Sequence, residues 1–236
     1  VQRVEDGPWQ RAPPPLRVLH IQPDDDPQHA PPAAITLRWP GRSVTLPLAP
    51  ARALLVNLAA ILKQYDPDLL LTQWGDTWLL PWLLEQSAAL NLRLPLSRDA
   101  NRGVLQRDER SYQAYGQVVH RGRQAHLFGR WHVDVYNAML YAEYGLEGLF
   151  ETARVTSLPV QAAARLSPGS GISAMQVVTA LRGGILVPWH KQQSEQPKSA
   201  LDLLHQDQGG LVYQPLTALH RDVAEIDFIS MDPSIM

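Results

Sequence analysis

A chain of 236 residues with 45% hydrophobic and 19% charged side chains can bury a sizeable core in one large domain or two modest ones, and reads as soluble and globular rather than disordered. Its formal net charge of −2 gives no overall positive field, so contact with nucleic acid has to come from local Arg and Lys placement. The absence of cysteine excludes disulfides, thiolate metal sites and cysteine nucleophiles, and fits a reducing, cytoplasmic location. No apolar run approaches the roughly 20 residues of a membrane span. The opening Val1-Gln2-Arg3-Val4-Glu5-Asp6 lacks the basic-then-apolar layout of a signal peptide, and a start without Met is expected of a fragment.

Arg11-Ala12-Pro13-Pro14-Pro15 predicts a stiff, non-helical lead-in. Leu16–Ile21 alternates as a strand, and Pro23–Pro32 reads as loop. Ala34–Trp39, Pro40-Gly41 and Ser43–Leu48 read as a hairpin. Pro50–Tyr65 predicts an amphipathic helix with Leu54, Leu55, Leu58, Ile61 and Leu62 on one face, stopped by Asp66-Pro67-Asp68. Leu69–Thr72 is a short, continuously apolar run, as expected of a strand covered on both faces. A helix is predicted over Thr77–Leu90, then an irregular Arg-rich stretch from Leu92 to Gln124 with one strand at Ala114–His120. Ala125–Asp134 reads as a strand and Tyr136–Thr156 as a helix weakened by Gly145 and Gly148. Val160–Arg165 reads as a short helix, Ser167–Gly171 as a turn, and Ile172–Arg182 as a further helix ended by Gly183-Gly184. Gln192–Pro197 is the expected seam, and Leu211 onward returns to β pattern. Interleaved strands and helices with an early hairpin predict an α/β domain built on a mixed sheet.

The run Val223-Ala224-Glu225-Ile226-Asp227-Phe228-Ile229-Ser230-Met231-Asp232-Pro233-Ser234-Ile235-Met236 resembles the first polymerase motif of the family B DNA polymerases. In that motif an apolar strand ends in Asp-Phe and is followed by Ser-Leu-Tyr-Pro-Ser-Ile. Its Asp holds two metal ions and the turn after it cradles the triphosphate. Gly209-Gly210-Leu211-Val212 resembles the family's paired-glycine motif, which touches the template strand. Gly129–Asp134 resembles a segment of its exonuclease domain. Tyr65–Asp68 with Trp74–Leu83 resembles the strand and loop of its second exonuclease motif. The four matches stand in the family's order and span most of the chain.

The resemblance implies an RNase H-like exonuclease fold over 1–156, a helical connection over 157–205 and the first palm strands over 206–236. It implies Asp227 as a polymerase metal ligand in a complete palm. Phe228, Ser230, Met231 and Asp232 fall at nucleotide-binding positions, and Gly209 and Gly210 at DNA-binding ones. The implied ligands are template-primer DNA, deoxynucleotides and magnesium, with a remaining polymerase polypeptide or subunit as partner, in replication or repair.

The departures are as informative. Family exonucleases gather carboxylates on an Asp-x-Glu, a second Asp and a later Tyr-x-x-x-Asp around two metals. Here the first pair falls on Gln22 and Asp24, Leu79 stands where the second Asp belongs, and the third motif is not visible. No metal is expected there, since a leucine cannot ligate a hard cation. Asp232 replaces the Tyr that packs under the deoxyribose, and its charge opposes that of a triphosphate. The chain is expected to be inactive alone as nuclease and polymerase, shaping the DNA path and supporting the strand that carries Asp227. The alternatives are a non-catalytic accessory module of a split polymerase, or a rearranged nuclease using Asp24, Asp76 and Asp134.

Residue by residue, plainer readings compete. Asp24, Asp25, Asp26 and Asp76 read as solvated loop acids. His132 and Asp134 share a strand face, which predicts a structural hydrogen bond. Trp74, Trp78 and Trp82 predict one packed helix face. Arg98, Arg102, Arg107 and Arg110 could track a phosphate backbone, but the interleaved Asp99, Asp108 and Glu109 favour a solvated mixed-charge loop.

Overall fold

The structure is a computed structural model describing residues 15–114, 117–187, 199–205 and 216–224. The chain divides into two units, Val1–Val187 and Pro188–Met236. In the first, β1 (Val18–Pro23) leads through a loop to the hairpin β2 (Ala34–Trp39) and β3 (Arg42–Pro47). Helix α1 (Ala51–Tyr65) follows, then β4 (Leu69–Thr72), a π-type turn at Gly75–Leu79 and α2 (Leu80–Ala89). Next come β5 (Leu105–Arg107), β6 (Arg110–Ala114), β7 (Gln117–Arg121), β8 (Gln124–His126) and β9 (Trp131–Asp134). Helices α3 (Tyr141–Thr156), α4 (Val160–Ala163) and α5 (Pro168–Arg182) complete it.

The main sheet has the order β3-β2-β1-β4-β9. β2 is antiparallel to both β1 and β3, whereas β1, β4 and β9 are mutually parallel. All four residues of β4 are buried because it lies between two parallel neighbours with helices over both faces. Its pleat sends Leu70 into one core, with Leu54, Leu55, Leu58 and Leu62 of α1 and Leu80 and Leu83 of α2. Leu69 and Leu71 enter the other, with Val133, Leu149, Val160 and Ala164. The fold is therefore a mixed sheet flanked by helices, as composition and pattern predict.

The predicted elements from β1 to β4 stand close to where the pattern puts them; several later ones do not. Ala125–Asp134 divides into β8 and β9 because Gly129 turns with φ +71° and the Phe128 carbonyl accepts from the Arg98 N–H at 2.9 Å. Around the predicted strand Ala114–His120 the chain instead forms a two-stranded ribbon, β6 with β7. The helix expected from Tyr136 begins at Tyr141 and is broken at Gly145, whose φ of 59° is not helical. Ser167 is the N-cap of α5, accepting from the Ser170 N–H, so the predicted turn is the first turn of that helix. The three tryptophans do not share a face. Trp74 takes φ 57° and packs on Tyr136 at 4.7 Å, whereas Trp78 and Trp82 stack at 6.0 Å. Within the first unit Gln161 of α4 bonds to β9 and Arg165 to β8.

In the second unit α6 spans Ala200–His205, and residues 216–224 carry no regular strand. The expected seam at Gln192–Pro197, the glycines Gly209 and Gly210, and Asp227, Phe228, Ser230, Met231 and Asp232 lie outside the described residues.

Candidate functional site

Parallel α/β sheets place their chemistry at the carboxyl ends of the strands, where loops diverge. In this sheet that edge follows β1, β4 and β9. After β1, the Asp24 side chain is exposed and accepts from the Ala33 N–H at 3.0 Å, bracing the loop into β2. Asp25 and Asp26 accept from backbone N–H groups of the same loop, and Asp26 also contacts His29 Nδ1 at 2.9 Å. For these three the loop-acid reading agrees with their surroundings. Gln22 is half-buried at the end of β1.

Asp76 departs from that reading. Its side chain is fully buried, in the π-type turn after β4. The turn can tuck under the sheet because residue 75 is glycine. A Cβ there would lie 1.8 Å from Thr72 Oγ1 and 2.5 Å from His132 Nε2. Arg165 meets the Asp76 carboxylate with two nitrogens, Nε to Oδ2 at 2.8 Å and Nη2 to Oδ1 at 2.7 Å. The Ala125 N–H donates to Oδ1 at 2.8 Å and Asn137 Nδ2 to Oδ2 at 2.6 Å. Burial pushes the Asp76 carboxyl up, but the paired Arg165, with His132 and the Ala125 N–H, outweighs it and holds the group below its ordinary value. This is a satisfied carboxylate with a resident cation, closer to a buried ion pair than to an open metal ligand.

Asp134, at the end of β9, accepts from the Asp76 N–H at 2.9 Å and the Tyr136 N–H at 3.1 Å. Burial above all, helped by the Asp76 charge and opposed by those two N–H groups, pushes its carboxyl up to about 6. His132 is completely buried one turn of the pleat earlier, on the same side of β9. Its Nδ1 lies 2.7 Å from the Ala125 carbonyl and so carries the proton; Nε2 then accepts from the Thr72 hydroxyl at 2.8 Å. Desolvation holds the ring neutral, with a pKa lowered to about 4. The expected structural hydrogen bonding of His132 and Asp134 is present, but each bonds through other partners rather than to the other.

β9 is the last strand of its sheet, so its outer backbone groups need partners. Gln161, within α4, supplies one of them and braces the turn before the strand: Oε1 accepts from the His132 and Leu127 N–H groups at 2.9 Å each, and Nε2 donates to the Leu127 carbonyl at 2.9 Å. Arg165 Nη1 donates to the Gln161 carbonyl at 2.8 Å. Among the described residues, no buried side-chain nitrogen or oxygen lacks a hydrogen-bond partner.

Leu79, which the resemblance sets at a carboxylate position, is fully buried in the core with Leu80 and Leu83. Among the described residues no three His, Asp or Glu side chains gather where they could hold a metal. The donor set at this edge does not fit a pair of magnesium ions: one carboxylate is neutralised by Arg165, one is spent on backbone N–H groups, and a third position is a leucine. Sequence reasoning missed Arg165 and Gln161. They lie about 90 and 85 residues from the Asp76 turn, respectively counted from the sequence, and no local pattern ties them to it.

The opposite ends of the same strands carry a second cluster. Asp66 ends α1 in the left-handed region (φ 44°), a conformation Asp tolerates. It and Asp68 face Arg98 at 2.7 Å each, and Asp66 also meets Arg130 at 3.0 Å and Arg17 at 3.1 Å. The Arg17 N–H, then the Arg98 and Arg17 side chains, overcome desolvation to lower the Asp68 carboxyl to about 2. Arg102 lies 3.5 Å over the Phe128 ring. Neither Arg98 nor Arg102 is the freely solvated loop residue expected.

No protein-family model matches the chain. It is 23% identical to DNA polymerase 1 of Pyrococcus abyssi over 86% of this chain and 32% of that protein. It is 21% identical to the DNA polymerase of Archaeoglobus fulgidus over 78% of this chain and 28% of that one. The structure overlays the family B DNA polymerase from the hyperthermophilic archaeon Pyrobaculum calidifontis with a TM-score of 0.56 and 19% identity, over 79% of this chain and 32% of the other. In sequence and in fold the chain is similar to family B DNA polymerases. It spans about a third of the length of these polymerases. Among the described residues no helix is long and apolar enough to cross a membrane.

Proposed function

We propose that this chain is the exonuclease-like and connecting part of a family B DNA polymerase in which the nuclease site has been replaced by a structural ion pair. The observation that carries this reading is Arg165 seated bidentate on the buried Asp76 at 2.8 and 2.7 Å, with Leu79 in the adjoining core. A nuclease of two metals needs open carboxylates at that edge; here a guanidinium stands in for the cation. The strand order β3-β2-β1-β4-β9, with a hairpin followed by parallel crossovers, supports an RNase H-like assignment. In the whole protein the chain's role is to shape the path of template-primer DNA and to support the palm strand bearing Asp227. Magnesium and deoxynucleotides belong to that completed palm, and the setting is cytoplasmic replication or repair.

Incubation with labelled single-stranded DNA and magnesium or manganese tests the nuclease half of the reading. No cleavage is expected; cleavage that disappears in Asp76→Ala would overturn it. The polymerase half is tested by reading the gene beyond the codon for Met236, where an in-frame motif of paired aspartates is expected and its absence counts against the reading.

A further inference from the structure

The loop after β1 and the start of α2 border a groove that neither the Asp76–Arg165 pair nor the sheet core uses. Its volume is about 660 Å³, and its lining includes Trp78 and Trp82, half-buried, with ring centres 6.0 Å apart and planes 16° apart. The loop contributes Pro27, Pro31 and Pro32. That loop is held in shape by Asp24, which accepts from the Ala33 N–H at 3.0 Å, and by Asp26, which accepts from the Gln28 N–H at 2.8 Å. The groove is therefore preformed. Among the described residues the indole N–H groups of Trp78 and Trp82, the side-chain amides of Gln28 and Gln86, and Nε2 of His29 make no hydrogen bond. All five residues line the groove, and these atoms reach solvent, since the buried side-chain nitrogens and oxygens are all paired. No Lys or Arg lines it among the described residues. The charge nearby is mainly acidic: Asp24 and Asp25 are exposed on the loop and Glu85 beside Gln86, against Arg52 beside Ala51.

We propose that this groove binds a proline-rich, extended segment with a flanking arginine, supplied by the lead-in Arg11-Ala12-Pro13-Pro14-Pro15 of a second copy of the chain. A polyproline II segment has no internal hydrogen bonds, so its carbonyls are open acceptors. Flat aromatic rings with N–H donors at their edges are the surface that recognises such segments, and both sides are stiff, so little freedom is lost on docking. The lack of basic side chains in the lining disfavours a phosphate backbone, whereas the acidic surroundings suit Arg11. The segment cannot come from the same copy. Pro15 precedes β1 at its amino end, and the groove lies past its carboxyl end. The strand's 6 residues span roughly 20 Å, whereas Pro13 lies within roughly 7 Å of Pro15 along the chain. Two copies related by a twofold axis each lend an arm to the other, so the contact is made twice and the second forms within the pair. The inference stands apart from the nuclease and polymerase readings and uses neither Asp76 nor Arg165.

Sedimentation velocity of the whole chain over a broad range of concentration is the first arm of the test, and wild type is expected to pass reversibly from monomer to dimer. Pro13→Gly with Pro14→Gly removes the stiffness of the lead-in, and Trp82→Ala removes half of the ring pair. Each should weaken dimerisation about tenfold or more. Arg11→Glu should weaken it severalfold. The second arm follows the fluorescence anisotropy of a labelled peptide of residues 8–15. The peptide should bind the double glycine variant, whose groove is free, and bind Trp82→Ala about tenfold less tightly. A wild type that stays monomeric throughout overturns the proposal, as does undiminished dimerisation of the glycine variant or peptide binding unaffected by Trp82→Ala. Displacement of the peptide by a single-stranded oligonucleotide also overturns it, by assigning the groove to nucleic acid. Circular dichroism melts show whether Trp82→Ala is folded. If it is not, Gln86→Leu takes its place, with a severalfold loss of peptide binding expected and no loss counting against the groove.

Discussion

The two ends of the parallel strands solve the same electrostatic problem in different ways. At the amino ends, Asp66 and Asp68 are shared among Arg17, Arg98 and Arg130, with Asp66 42% and Arg98 30% exposed. Water screens the contacts of Arg17 and Arg98, each worth little by itself, while Arg130, 3% exposed, reaches Asp66 from inside the fold. At the carboxyl ends one carboxylate and one guanidinium, 0% and 3% exposed, satisfy each other almost without water. Breaking such a pair strands a charge in a dry interior. The edge at which an α/β sheet ordinarily does chemistry has thus become the rigid one, and the edge ordinarily devoted to stability is the wetter of the two.

The largest test of this contrast is Arg165→Met, which leaves Asp76 buried and unpaired. It should cost about 3–5 kcal/mol of unfolding free energy in urea titration. Adding Asp76→Asn should recover at least half of the loss, since the amide oxygen still accepts from Ala125. A cost below about 1 kcal/mol for Arg165→Met would break the comparison.

The pH dependence of the carboxyl-end cluster comes next. His132, lowered to about 4 from an unfolded value near ~6.5, contributes stability that is complete above ~6.5 and is lost as pH falls through about 4. Asp134, raised to about 6 from ~3.9, does the reverse: its favourable contribution is complete below ~3.9 and is lost as pH rises through about 6. Each amounts to roughly 3 kcal/mol in this linkage, and the two oppose one another between about pH 4 and 6. Wild type should therefore show a shallow profile there, and Asp134→Asn should expose the His132 loss as a steep fall toward acid. Equal slopes in the two proteins would contradict the assignment.

Gly75→Ala is expected to cost about 1–3 kcal/mol, because its methyl group has to displace Thr72 and the His132 ring. Arg98→Gln, at the wetter end, should cost about 1 kcal/mol and less in high salt, measured by the same titration. If Arg98→Gln proved as damaging as Arg165→Met, the distinction between the two ends would disappear.

Much of the first half of the fold is legible in the sequence because its signals are local. The hairpin turns at Pro40-Gly41, α1 keeps its leucines at helical spacing, and Leu69–Thr72 is apolar without alternation. The later half resists reading where glycine geometry and distant partners decide. Gly129 and Gly145 interrupt patterns that look continuous, and Trp74 leaves the spacing it shares with Trp78 and Trp82 because the backbone turns left-handed there. Of the candidate site, the resemblance located Asp76 and Leu79 in their motif, and reading Leu79 as unable to hold a cation needs only its chemistry. Asp76 reads as a solvated acid in the sequence, yet it is buried, because nothing near it in the chain announces burial.

The amino-acid sequence by itself determined the alternation of strands and helices, the mixed α/β class and the resemblance to family B DNA polymerases. Those properties depend on side-chain periodicity and residue identity over short windows. Only the tertiary structure decided that Asp76 has a counter-ion, that Gln161 braces the outer edge of β9 and that the loop after β1 shares a groove with Trp78 and Trp82. A charge's state depends on what lies within a few ångströms of it, and in a folded chain those neighbours come from segments with no fixed spacing in sequence.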